Sequence, residues 1–163
     1  MLNGLWWGLG GGRDGNVMVS NTSGNQVMAD VYLDFQGQRH SSPPLAFAPY
    51  ETKVLSIPQL LANLNTDPAA ASEGGITIIQ RGANPSLIAN GRIVDPATGF
   101  STTIDFPLPQ LEHANALHAS GLPVGTPGKD SPYAGMGTFV PHVIVRNLLG
   151  SPQSVTVTLE YPQ

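Results

Sequence analysis

The sequence predicts an all-β sandwich with one short helix. Three observations carry that expectation. Residues 74–106 hold three apolar, β-branched runs separated by Gly82-Ala83-Asn84-Pro85 and Asp95-Pro96-Ala97-Thr98-Gly99, and short turns between such runs predict neighbouring antiparallel strands. Residues 27–35 alternate, with Val27, Ala29, Val31, Leu33 and Phe35 on one face and Met28, Asp30, Tyr32 and Asp34 on the other, the period of a half-buried strand. The 19 glycines and 15 prolines of this 163-residue chain lie between apolar runs, which marks punctuation of strands rather than disorder.

Taken in order, residues 2–15 form an aromatic and glycine-rich leader. Residues 16–21 read as a strand through Val17, Met18 and Val19, and residues 22–25 as a turn. The alternating run follows and ends at Gly37. Ser41-Ser42-Pro43-Pro44 is a loop or an extended edge segment, because proline donates nothing to a ladder. Residues 53–56 make a short strand. Ser56 ahead of Ile57-Pro58 then starts a helix, proline being tolerated in the first turn, with Leu60, Leu61 and Leu64 as its apolar stripe. Residues 66–73 are a loop before the three central runs. Residues 108–120 fit an irregular strand or a short helix. Residues 121–137 carry five glycines and three prolines and read as a long loop. Residues 138–147 and 154–161 are the last strands, the second alternating through Val155, Val157, Leu159 and Tyr161. So many short strands against one helix argue for a sandwich. Its core is expected to hold Val31, Leu33, Ile76, Ile78, Leu87, Ala89, Ile93, Phe100 and Ile104.

Composition narrows the function classes. Hydrophobic residues make up 40% of the chain, enough for a core, and charged residues only 11%, against roughly 25% in soluble domains. Ser, Thr, Asn and Gln fill the polar quota, which fits exposed sheet faces and secreted proteins. The net charge is −4, and the seven basic residues are scattered from Arg13 to Arg146 without a patch, which argues against nucleic acid as a partner. Without cysteine there is no disulfide framework, zinc ribbon or thiol nucleophile. No apolar run approaches the ~18 residues of a membrane span. The opening Met1-Leu2-Asn3-Gly4-Leu5-Trp6-Trp7 has neither the basic nor the apolar region of a signal peptide. Either the protein is not exported or the chain is a mature or excised piece; the repeat below favours the second, a piece of a protein that is secreted or held at the cell surface.

The sequence also repeats. Asn16-Val-Met-Val-Ser-Asn-Thr-Ser-Gly24 matches His142-Val-Ile-Val-Arg-Asn-Leu-Leu-Gly150, and after a two-residue insertion Val27, Ala29, Val31 and Leu33 match Val155, Val157, Leu159 and Tyr161. Either two hairpins of one sandwich look alike, or the chain holds one unit and the start of another. The second alternative divides it into a repeat unit at 1–120, a Gly/Pro-rich loop at 121–137 and a terminal hairpin at 138–163. That hairpin would pair in cis or with a neighbouring subunit.

Val19-Ser-Asn-Thr-Ser-Gly24, the alternating strand after it and Pro49-Tyr-Glu-Thr-Lys-Val54 together resemble bacterial immunoglobulin-like modules related to cell-adhesion domains. The unit as a whole, with Leu5-Trp6-Trp7, the turn at 95–101 and Leu117-His118-Ala119-Ser120-Gly121-Leu122, also resembles repeated domains of large secreted bacterial proteins of unknown function. The resemblance implies an immunoglobulin-like antiparallel β-sandwich with one short helix, used outside the cell for adhesion or assembly. It supplies no catalytic residues.

The residues themselves nominate no enzyme. His113 and His118 are five apart, which matches neither a helical nor a strand metal pair; His40 and His142 stand alone. No Asp-x-Asp-x-Asp loop gathers calcium ligands, and nothing marks a carboxylate pair for glycoside hydrolysis. There is no Gly-x-Ser-x-Gly elbow, and Gly8-Leu9-Gly10-Gly11-Gly12 lacks the Lys-Ser/Thr of a phosphate loop. The expectation is a non-enzymatic protein without cofactor or metal. Its candidate contacts are Trp6, Trp7, Tyr32 and Tyr50, as an interface or a sugar-stacking platform, and Val155, Val157, Leu159 and Tyr161 as a strand face. Asn21, in Asn-Thr-Ser, is a candidate glycosylation site. The expected partners are copies of the chain itself, head to tail, or adjacent repeats, with glycans as the alternative.

Overall fold

The alternating run around Val31 becomes the central strand of one sheet in a two-sheet sandwich. The structure, a computed structural model, describes residues 1–99, 101–106, 125–132, 134, 135, 137, 138, 143, 145–148 and 151–158. Among them lie nine strands and a helix: β1 Leu2–Gly8, β2 Asp14–Asn21, β3 Val27–Phe35, β4 Gln38–Ser41, β5 Leu45–Phe47, β6 Thr52–Ser56, α1 Ile57–Asn63, β7 Glu73–Gln80, β8 Leu87–Val94 and β9 Ser101–Ile104. One sheet runs β1-β7-β3-β4, with β5 pairing the start of β3; the other runs β6-β2-β8-β9. Every pairing is antiparallel.

The three runs of 74–106 are not one continuous set of neighbours. β7 belongs to the five-stranded sheet and β8 to the four-stranded one, so the turn between them crosses the sandwich; only β8 and β9 pair, from Gly91↔Ile104 to Val94↔Ser101. The same correction applies to β2 and β3. They lie in opposite sheets, so the segment 16–33 is an arch and not a hairpin. A short turn serves either connection. An arch lets both apolar faces, Val17 and Val19 on β2 and Val27 to Phe35 on β3, point into the same core.

A true hairpin joins β3 to β4, with Phe35 opposite Gln38. Its two turn residues, Gln36 and Gly37, have φ of 51° and 71°, the left-handed pair of a type I′ turn. β4 reads Gln-Arg-His-Ser and carries no apolar alternation, and so it escaped the sequence pattern. β1 lies in what the sequence presents as a leader. Between Gly4↔Ile76 and Trp7↔Gly74 the register shifts, so three steps on β1 oppose two on β7, a β-bulge. The extra residue turns Trp7 inward.

The core holds Trp7, Val17, Val19, Val31, Leu33, Phe47, Ile57, Leu61, Ile76, Ile78, Ile93 and Ile104, all essentially without solvent contact. Of the expected core, Leu87 is also buried, Ala89 is partly buried against the cluster, and Phe100 lies outside the described residues. α1 forms where expected. The Ser56 side chain accepts from the Gln59 amide at 3.3 Å, Pro58 sits in the first turn, and Leu60 and Leu61 are buried. The anticipated strands at 138–147 and 154–161 lie partly outside the described residues; Val143, residues 145–148 and residues 152–158 take no strand conformation.

Candidate interaction surface

Strand alternation sends Asp30, Tyr32 and Asp34 of β3 to the outer face of the five-stranded sheet, where the polar chemistry of the described residues concentrates. Arg81 holds Asp30 through Nε at 2.9 Å and Nη2 at 2.6 Å. Arg39, on the neighbouring β4, holds Asp34 through Nε at 2.7 Å and Nη2 at 3.1 Å. The Arg39 guanidinium also lies 5.4 Å from the centre of the Tyr32 ring. Beside them Thr77 of β7 donates to Asn3 at 3.1 Å and to Asp34 at 3.2 Å.

Into this cluster comes Arg146, more than a hundred residues along the chain. Its Nη1 donates to the carbonyls of Gly4 and Ile76 at 2.6 and 2.9 Å, where the β1 bulge begins. Its Nη2 donates to Thr77 Oγ1 at 2.7 Å and pairs with the Asp34 carboxylate. Only 10% of the Arg146 side chain is exposed. The seat exists because residue 75 is glycine: a Cβ there would lie 2.6 Å from the Arg146 Cζ.

The charges agree with this geometry. Burial pushes the Asp34 carboxyl up, but the hydrogen bond from Arg39 and the charges of Arg146 and Arg39 outweigh it and hold the pKa below the usual carboxylate range. The hydrogen bond from Arg81 lowers Asp30 in the same way. Asp34 is thus an anion shared by two guanidiniums, an arrangement suited to fastening chain segments. Its partners hold both carboxylate oxygens.

The aromatic residues nominated by the sequence do not assemble into a platform. Trp7 is fully buried; its indole donates to Gly75 O at 2.9 Å and meets Phe35 edge-on at 6.3 Å. Its neighbour Gly74 has no room for a Cβ, which would come within 2.6 Å of that indole. Trp6 is half-buried and covers Gly8. Tyr32 lies half-buried under Arg39. Tyr50 is 73% exposed and stands by the β2–β3 turn, its amide donating to Ser23 O. That turn is at the far end of β3 from Trp7, which pairs beside Asp34 and Gly75.

Asn21 is not placed to carry a glycan. Its amide nitrogen donates to Asn25 O at 2.7 Å and to Ala48 O at 2.9 Å, while its Oδ1 accepts from Ser23 and Ser86. The residue is buried, and it ties the arch turn to two other connections. A sugar on Nδ2 would have to break that knot.

Val155 and Val157 are exposed, as are Val143 and Val145; Leu159 and Tyr161 lie outside the described residues. So do His113, His118 and His142, whereas His40 stacks on Phe35 at 4.0 Å. Among the described residues no group of three His, Cys, Asp or Glu side chains is positioned for a metal, and no helix is long and apolar enough to cross a membrane.

Sequence reasoning missed Arg146 and its seat. The signal was the repeat itself, which puts a charged residue where the first copy has Ser20. Comparison with protein-family models, with curated proteins and with solved structures gives no match to this chain.

Proposed function

We propose that this chain is a non-enzymatic structural protein of the cell exterior, an immunoglobulin-like repeat or subunit of a surface fibre that assembles through β-strand contacts with copies of itself or adjacent repeats. One observation carries the reading. The described residues form a two-sheet sandwich within residues 2–104, and the chain then repeats the sequence of its β2–β3 segment, with the valines at 143, 145, 155 and 157 in solvent. A strand-patterned apolar stretch left outside a core is a site for another chain or repeat. A contact between an arch at one end and a sheet at the other is heterologous, and it propagates into a filament unless the rotation closes a ring.

Low charge and the Ser/Thr/Asn-rich surface support an exterior location. The glycan alternative rested on Trp6 and Trp7 side by side, and with Trp7 in the core a sugar finds no paired platform. Negative-stain electron microscopy of the concentrated chain tests the proposal. Filaments or strings of beads are expected; uniform single particles at every concentration would count against it.

A further inference from the structure

The first arch states what its duplicate lacks. Val17, Val19, Val31 and Leu33 have no exposed surface, whereas the matching Val143 and Val145, and Val155 and Val157 of the same strand face, are 56–60% exposed. In the first copy β2 is flanked by β6 and β8, and β3 by β7, β4 and β5. Because β2 and β3 sit in opposite sheets, two strands of this kind cannot satisfy each other's ladders. Each needs its own neighbours. That explains why residues 152–158 take no strand conformation although their sequence alternates.

The duplicate nevertheless keeps one local feature of the original. Asn147 Nδ2 donates to Ser151 O at 2.8 Å, four residues on, as Asn21 Nδ2 donates to Asn25 O at 2.7 Å. The duplicate is also oriented. Arg146 corresponds to Ser20, an outward position on β2, and it is the residue tucked into the first sandwich, while Val143 and Val145, which correspond to the inward Val17 and Val19, face away.

We infer that the segment carrying Val143, Val145, Arg146, Val155 and Val157 is the arch of a second sandwich, seated back-to-back on the outer face of the β1-β7-β3 sheet through Arg146. Its valine face takes strands equivalent to the chain's own β4–β9. This deepens the repeat reading above and rests on it. The ligand class is polypeptide: one strand set to flank the stretch of Val143 and Val145 and another to flank the stretch of Val155 and Val157, with apolar inward faces like those of Ile76, Ile78, Leu87 and Ile93.

Two measurements decide it. In the first, the intact chain is compared with Gly75→Ala, which fills the seat without altering a charge. Intact chain should show a slowly exchanging Arg146 Nε–H resonance in NMR. The variant should lose it while melting at the same temperature; an Arg146 resonance unaffected by Gly75→Ala would overturn the seat. In the second, the chain is continued after Tyr161 with a second copy of residues 34–106. The amides of Val143, Val145, Val155 and Val157 should then gain at least ~100-fold protection from hydrogen exchange. Exchange at the rate of free peptide would show that these residues are no arch, whatever the unextended chain does in solution. Protected valines in a chain whose unextended form never self-associates would overturn the fibre reading and leave the arch standing.

Discussion

Leu33 lies at the middle of the central strand with no exposed surface, flanked across the ladder by Ile76 and His40. Truncating it leaves a cavity that the two sheets cannot close, so Leu33→Ala should cost about 2 to 5 kcal/mol in a denaturant titration. Asn21 makes a polar counterpart. Asn21→Ala would take one of two donors from each of the Asn25 and Ala48 carbonyls and leave the Ser23 amide without its acceptor, at a cost of about 1 to 3 kcal/mol. The same chain passed through a glycosylating secretory pathway should leave with Asn21 unmodified, as intact mass will report. Asp34 sets a pH dependence. Its folded pKa is depressed, so its contribution is complete above the unfolded value of about 3.9 and is lost as pH falls through the folded value. Arg146 should therefore leave its seat in acid. The Arg146 Nε–H signal followed from about pH 6 to about pH 2 should fade below the usual carboxylate range, and Asp34→Asn should weaken it already at neutral pH.

At the scale of elements, periodicity carried most of what could be foreseen. β3 was legible because nine residues alternate strictly, and α1 because Ser56, Pro58 and three leucines give a start signal and a stripe. β4 and β1 were not. A polar edge strand has no inner face to declare itself, and the bulge in β1 breaks the period so that Trp6 and Trp7 look equivalent until one of them is buried. Short turns between apolar runs also misled: the connections after β2 and β7 resemble hairpins in sequence and are crossovers in space. Legibility was poorer still at the candidate surface. The residues that meet around Asp34 come from β1, β3, β4, β7 and the segment beyond 143, and no local pattern announces a meeting of that range. The repeat was the single feature to point there. It also predicts behaviour: Arg146→Gln should release the segment while changing the stability of the sandwich by less than about 1 kcal/mol, since the groups it leaves behind reach water.

For the whole molecule, the division of labour is between a finished sandwich and a segment that continues its pattern. All nine described strands precede residue 105, and their inner faces pack on one another. The outer groups that Arg146 covers are polar. A chain cut after residue 137 should accordingly keep its fold, and its melting should be indifferent to chelators, because no side chain described in the core binds through a metal. What the cut removes is the segment that carries the exposed Val143, Val145, Val155 and Val157. Sedimentation velocity on the intact and shortened chains across a wide concentration range is the most direct test of assembly through that segment. The account predicts that the intact chain forms a ladder of growing species, while the shortened chain stays a folded monomer. An intact chain that remains monomeric at high concentration, together with loss of the fold on shortening, would contradict it.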